Sequence, residues 1–560
     1  MSATRLTRLI LLFAGGAVAP AGGAVAPALA LLAGGPVAPA LALLAGGPAG
    51  TAPAIAPPRQ EVRAVIEEVR ATGGLELFGT RIAVPAPVTR IYERAGYALL
   101  WSSAEDVSDL AVFVHGLERD GLDPADYHRA WIRNEPATAD QRARLDVVRT
   151  TALLRAAYHL RFGRVDAETL QPNESLARAV HGDDVGDALE SLLPPRGGRA
   201  EWNALRPDNF VYAGLAEALT RLRAVAAQGG WPMITAGESL RPGMNDGRVP
   251  ALRRRLEIAG DLAAGLGYTT AFDAVLDSAV RRFQHRHGLN TDGIVGPATR
   301  AELNVPVERR IDQVRLNLER ARWISPTLTD EFVAVNAAGA LVYLVHSGHI
   351  VFEARAIVGA LYTRTPVFTA QMRSIELNPS WTVPPGIVGE ILGAVRRDAG
   401  YLEANGIRVI DSRGRTIDAA GITFSHYTER TFPWVFRQDP GPANPLGRIK
   451  FSFPNRYNVY LHDTPARYLF EREQRTFSHG CIRVQDPLLL AELALKDARW
   501  STASLRAAIE TGATRTIPLN EPLQVLVLYW TASADRHGEL HFYRDVYGRD
   551  AALLAALDAS

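Results

Sequence analysis

The 560-residue chain contains one cysteine, Cys481, and that scarcity removes two kinds of structure at once. No intramolecular disulfide can form, and no thiolate cluster can hold zinc, since such sites need at least two cysteines. An excess of one charge is also missing. Sixty-one basic side chains face 60 acidic ones, a net charge of +1, which argues against a dedicated nucleic-acid binder with its basic face. Lysine is nearly absent, with only Lys450 and Lys496 among the basic residues. We read that as the mark of a GC-rich genome, not as a functional signal. Gly 48 and Pro 35 are too few for a fibrous repeat, and 47% hydrophobic with 22% charged residues is the composition of globular protein. The length suggests three or four domains.

Unbroken apolar runs are lacking too. Arg5 and Arg8 precede Leu9–Phe13, and the chain then stays uncharged to Pro58, with Ala-x-Ala triplets at Ala17–Ala19 and Ala28–Ala30. That is the layout of a secretory signal peptide. The alternative, a membrane anchor, needs about 20 apolar residues in continuous helix. Pro20, Pro27, Pro36, Pro39 and Pro48 interrupt every candidate. We therefore expect a signal peptide over residues 1–30, a low-complexity Ala/Gly/Pro tether over 31–58, and no transmembrane span in the mature chain. AGGAVAP occurs at 14–20 and 21–27, and APALALLAGGP at 26–36 and 38–48. These short repeats match no solenoid unit.

Residues 59–237 read as helical, with apolar residues at helical spacing in Glu61–Arg70 and Ala152–Phe162. Residues 238–306 form a second unit: Leu252 and Leu256, then Ala279–Gln284, then a Gly293 and Gly296-Pro297 turn that opens another helix. His285 and His287 lack a third ligand nearby and are taken as surface residues, not metal ligands. A linking helix follows within 307–329. Over 330–535 short Val/Leu/Ile runs separated by glycines have strand–turn–strand texture, broken by helix-like and aromatic pieces at about 386–450. Residues 536–560 remain as a C-terminal extension.

The chemistry concentrates at Ser478-His479-Gly480-Cys481-Ile482-Arg483, downstream of Tyr460-Leu461-His462-Asp463. A thiol attacks well only as thiolate, so it needs a nearby base or positive field. His462 can act as that base. His479, two residues from Cys481, would share its face in an extended strand and is the rival. Gly480 lets the backbone aim N–H groups at a developing oxyanion. Structurally, a lone cysteine is most often a small buried hydrophobe, but its histidine, glycine and arginine neighbours point to a reagent.

Ser478 lies 16 residues past His462, and that spacing ahead of Ser-His-Gly-Cys resembles the signature of L,D-transpeptidases with a YkuD-type catalytic domain. Val358-Gly359, Thr365–Phe368, Asn378–Pro385, Pro440–Gly447 and Lys450–Asn455 resemble further blocks of that domain. FQHRHGLNTDGIVGPATRAEL resembles the three-helix peptidoglycan-binding domain. Thr89–Trp101, Asp120–Pro124, Leu160–Val165, Tyr529–Ala532 and Tyr547–Asp550 resemble segments of the family's large, scaffold-bearing branch. Ala360 departs from the basic residue the family often places there.

The resemblance implies a multidomain α+β protein: a helical scaffold, a peptidoglycan-binding domain, and a mainly-β catalytic domain with an inserted helical lid. It implies Cys481 as nucleophile, His462 as base and Gly480 and Cys481 as oxyanion donors, with the histidine oriented by Asp463 through its backbone carbonyl or its side chain. Arg483, Trp381, Tyr460 and Asn444 are the expected substrate contacts. No metal and no cofactor are expected. Donor and acceptor stem peptides of peptidoglycan are the partners, with cell-wall synthesis proteins as a further class, in a Gram-negative periplasm. Trimming as an L,D-carboxypeptidase or endopeptidase, or wall binding without catalysis, are the alternatives.

Overall fold

A computed structural model describes residues 57–170 and 190–559. The expected signal peptide, and the tether up to Ala56, lie outside the described residues. Among those described, no helix is long and apolar enough to cross a membrane.

The described residues form two compact units. The first takes in residues 57–115, 127–157 and 190–205. It is mostly helical, as expected, but includes an antiparallel hairpin, Gly74–Leu77 with Thr80–Ala83. The hairpin turns on Phe78 and Gly79, both at positive φ, so a two-residue turn wins over helix in a short alternating stretch. Its core holds one polar knot. Asp146 accepts from the Tyr92 hydroxyl at 2.6 Å and from the backbone N–H groups of Leu100 and Trp101, each at 2.9 Å.

In the second unit, helix Phe210–Ala227 packs on helix Val307–Ile324 and on the hairpin Ala532–Ala534/Leu540–Phe542, around Leu215, Leu219, Val314, Leu318 and Phe542. Residues 210–227 group with this unit, and helix Asp550–Asp558 packs through Leu553 and Leu557 on Leu316. A buried polar cluster ties these pieces: Arg322 pairs with Glu319 at 2.6 Å, Tyr212 donates to Asp120 at 3.0 Å, and Arg206 pairs with Asp120 at 2.7 Å.

Helices Val249–Ala259, Ala274–Arg286 and Pro297–Leu303 enclose their own core of Leu252, Leu256, Phe272, Leu276, Val280 and Phe283. The Gln284 amide organises the following turn through Asp292, the Ile294 carbonyl and the Gly293 N–H. His287 corrects the surface reading. It is 5% exposed, stacks on Phe283 at 3.8 Å, and its Nδ1 lies 2.7 Å from the Phe283 carbonyl. The helix ends there, and the ring folds back under its last turn; His285 stays exposed.

The largest sheet has nine strands: β1 Glu331–Asn336, β2 Leu341–His346, β3 His349–Gly359, β4 Phe368–Leu377, β5 Ile449–Ser452, β6 Leu461–His462, β7 Thr476–Ser478, β8 Ile482–Val484 and β9 Arg515–Leu528. Their order is β7-β3-β8-β6-β5-β4-β9-β1-β2, and β2 pairs back onto β3, so eight strands close on themselves. One core row runs in register across neighbours, Ile517–Ile375–Phe451–Leu461–Ile482. Side chains alternate along each strand, so residues one position away occupy the opposite face. Between Asn378 and Arg448, joined by a 2.8 Å backbone bond, an insertion carries helix Pro385–Arg397 and a four-stranded sheet (Trp381–Thr382, Val435–Gln438, Ile407–Ile410, Thr416–Ile417) with its own apolar core.

Glu319→Ala should destabilise the second unit by about 3–5 kcal/mol, because it leaves Arg322 buried beside a lost partner. The check is the shift in chemical-denaturation midpoint.

Candidate active site

The site is built where β6 and β8 run parallel. Leu461 pairs with Ile482 and His462 with Arg483, and the Ile482 N–H donates to the Tyr460 carbonyl at 3.0 Å. Leu461 and Ile482 are fully buried in the core. Alternation therefore places Tyr460, His462, Cys481 and Arg483 on the opposite face. The same register extends sideways as a polar row, Thr516–Glu376–Lys450–His462–Arg483.

Cys481 follows Gly480, whose φ of +112° suits glycine alone. That bend breaks the alternation between β7 and β8, so His479 and Cys481 do not share a face as they would in an extended strand. The His479 Nε2 lies 2.9 Å from Glu390 Oε1, on the insertion's helix. The Cys481 thiol donates to the Asn458 carbonyl at 3.7 Å, and the Tyr460 backbone N–H and hydroxyl both bond to the sulfur. The Gly480 N–H is taken by Ser478 Oγ at 3.1 Å. This removes it from the expected pair of oxyanion donors and leaves the Cys481 N–H.

His462 is 4% exposed, and its Nδ1 lies 2.5 Å from the Asp463 carbonyl. A carbonyl only accepts, so Nδ1 carries the hydrogen and Nε2 keeps its lone pair. The Asp463 carboxylate is engaged elsewhere, with the Arg448 N–H at 2.9 Å and Arg467 at 3.0 Å. Of the two ways of orienting the ring, the structure uses the backbone carbonyl. Burial pushes the His462 pKa down to about 3. The neighbouring Arg483 and Lys450 cations act in the same direction, against the Asp463 carbonyl. Burial raises the Cys481 thiol, opposed by the Tyr460 bonds and by Arg483 and Lys450. Burial thus favours the uncharged form of both the Cys481 thiol and the His462 imidazole.

Arg483 keeps a buried Nε with no partner among the described residues. Tyr460 sits between the sheet core and the insertion core, with Lys450 Nζ 4.7 Å from its ring centroid and the Trp381 indole bonding its hydroxyl. Trp381 is itself a buried member of the insertion core and reaches the site through Tyr460. Asn444 corrects an expectation. It is fully buried, donating to the Pro379 carbonyl at 2.9 Å and the Asp439 carbonyl at 3.2 Å while accepting from the Leu446 N–H at 2.9 Å. It braces the neck of the insertion and offers nothing to a substrate. Lys450 was not singled out from the sequence, though it is one of two lysines in the chain. A cavity of about 750 Å³ borders His479 and Gly480, with Trp323, Trp530 and Arg549 among its other walls, but Cys481 does not line it.

Comparison with known proteins agrees with this geometry. Residues 330–505 match the family model for the L,D-transpeptidase catalytic domain, YkuD, which gives the closed sheet and its cysteine turn their class. Residues 86–219 match a scaffold domain, and residues 245–303 match the family described as "Putative peptidoglycan binding domain". The chain thus carries, in this order, regions similar to a scaffold domain, a peptidoglycan-binding-type domain and a YkuD-type L,D-transpeptidase catalytic domain. A Haemophilus influenzae protein named "Putative L,D-transpeptidase" is 30% identical over 239 residues, which is 42% of this chain and 48% of that protein. The match thus spans about half of that relative. Among solved structures, an L,D-transpeptidase from Xylanimonas cellulosilytica is 16% identical, covering 52% of this chain and 99% of that one at a TM-score of 0.16. One from Stackebrandtia nassauensis is 12% identical, covering 53% and 96% at 0.20. At those scores they carry none of the assignment.

Alkylation of Cys481 by iodoacetamide should accelerate with pH through an inflection above the ordinary thiol value of about 8.5. Stopped-flow or mass-resolved rates from pH 6 to 10 check this. An inflection near neutrality would mean a preformed thiolate–imidazolium pair instead.

Proposed function

We propose that the protein is a peptidoglycan L,D-transpeptidase acting through a Cys481 thioester, with the side chains of Tyr460, His462, Cys481 and Arg483 on one face of the β6–β8 pair as the supporting observation. As Cys481 Sγ attacks the carbonyl at the L centre of the third stem residue, the thiol proton passes to His462 Nε2 and a C–S bond forms. The oxyanion that develops is met by the Cys481 N–H. The amide C–N bond then breaks, and D-alanine leaves with the proton from His462. The side-chain amine of an acceptor stem attacks the thioester, gives a proton to His462, and forms the new amide. The C–S bond breaks, the thiol is restored, and a 3→3 cross-link results.

The neutral imidazole keeps its Nε2 lone pair free for the thiol proton, while burial lowers its basicity. The orphaned Arg483 Nε supports a role in holding a donor carboxylate, for which a planar guanidinium is fitted. Every group in the route is a protein side chain or backbone amide. Residues 245–303 would keep the enzyme on its polymer. A wall polymer as substrate supports a place in the cell envelope, and the basic, apolar and Ala-x-Ala layout of residues 1–30 supports export to the periplasm.

Cys481→Ala should abolish the covalent adduct with a carbapenem, seen as the loss of a mass shift; an adduct that persisted would sink the assignment. Mass analysis of products from purified tetrapeptide muropeptides should show dimers, whereas trimmed monomers would mean that water is the acceptor. His462→Ala should slow acylation by about 10²–10⁴-fold, the usual contribution of a general base. His479→Ala should cost under about tenfold on the same scale, and the reverse ranking in acylation rates would exchange their roles.

A further inference from the structure

We propose that Thr365 and Tyr547 are positioning residues that set the direction of the Cys481 N–H toward the oxyanion of acylation. This rests on Cys481 being the nucleophile. Gly480 C=O and Cys481 N–H belong to one planar peptide unit, so fixing the carbonyl fixes the N–H. Glycine at +112° is also the residue at which such a unit turns most easily, and its direction has to be imposed from outside.

The restraint is a relay of bonds ending at that carbonyl. Thr365, fully buried, donates its hydroxyl to the Gly480 carbonyl at 2.9 Å and accepts from the Gly359 N–H at 2.9 Å. An N–H can only donate, so the hydroxyl proton is committed to Gly480. Tyr547 then secures the same segment. Its hydroxyl donates to the Gly359 carbonyl at 2.7 Å and accepts from the Thr365 N–H at 3.3 Å. Tyr547 is in turn held by Tyr529, whose hydroxyl accepts the Tyr547 N–H at 2.8 Å and donates to Asp545 at 2.6 Å, with the two rings stacked.

The other side of the turn is equally occupied. Ala360 N–H and Thr363 Oγ1 donate to the Ser478 carbonyl at 2.8 and 2.9 Å, and Ser478 Oγ donates to the Cys481 carbonyl at 2.5 Å. The Cys481 N–H is left without an acceptor among the described residues. Tyr547 lies beyond residues 330–505, the stretch that matches the catalytic-domain family. A segment outside that match therefore completes the nucleophile turn.

The test compares two reactions of the same sulfur in the full chain. Acylation by a carbapenem forms the C–S bond, opens the lactam C–N bond and passes through a carbonyl oxyanion. Alkylation by iodoacetamide forms a C–S bond and expels iodide without one. Thr365→Val and Tyr547→Phe should slow acylation about tenfold, on the scale of a displaced oxyanion donor. Alkylation should stay within about twofold, and Thr365→Ser, which keeps the hydroxyl, should restore acylation. Tyr547→Phe keeps its ring and provides the measurement should Thr365→Val fail to fold. Unchanged acylation in the folded variant, or both reactions falling together, overturns the proposal. A carbapenem adduct on Cys481→Ala would instead overturn the nucleophile assignment.

Discussion

The parallel pairing of β6 with β8 is the contact on which the site depends. Two residues of one strand and three of the other bring His462 alongside Arg483 and Tyr460 alongside Cys481. A one-residue slip would send His462 into the core and Leu461 out to the site. So short a pair does not hold its register alone. The Asn455 side chain shapes the turn before β6, donating to the Phe453 and Val459 carbonyls and accepting from the Tyr457 and Val459 N–H groups. On the other strand, the bonds around Ser478 and Gly480 fix where β8 begins.

Electrostatics then follow from which face this register exposes. Lys450 and Arg483 flank His462 in the polar row, and both oppose its protonation while favouring a thiolate. Burial acts with them on the histidine and against them on the cysteine. Burial favours the uncharged form of each, and on the proposed route the positive surroundings would assist charge as it forms on sulfur and carbonyl oxygen. Arrangements of this kind place the stabilisation in the transition state rather than in the ground state.

The order of scaffold, peptidoglycan-binding and catalytic regions was legible because their signals are local: a helical period, a glycine-bounded strand, a short motif. What was hidden is what the fold brings together. Spacing alone leaves His479 and His462 as rivals, because the positive φ at Gly480 is a tertiary outcome that spacing does not reveal. Asn444 looked like a polar contact because a sequence does not say that its amide is spent on three backbone groups. His287 looked exposed because nothing local says that the helix ends by folding its ring onto Phe283. Lys450 and Thr365 stood within recognisable blocks, yet their roles come from neighbours on strands far away in the chain. The hairpin at 74–83 was missed because two four-residue strands are too short to outweigh a helical context.

The closure of the sheet has a consequence for when the protein becomes active. β1 pairs in parallel with β9, so Phe332 meets Gln524 across nearly two hundred residues, and Tyr547 reaches back to Gly359 over a similar span. Non-local pairings of this kind carry a loop-closure cost that slows folding. A chain that emerges from its amino end carries its thiol before it carries the strand and the tyrosine that aim it. On the proposed reading, the turn that carries the thiol is complete only once residues as far as Tyr547 are in place.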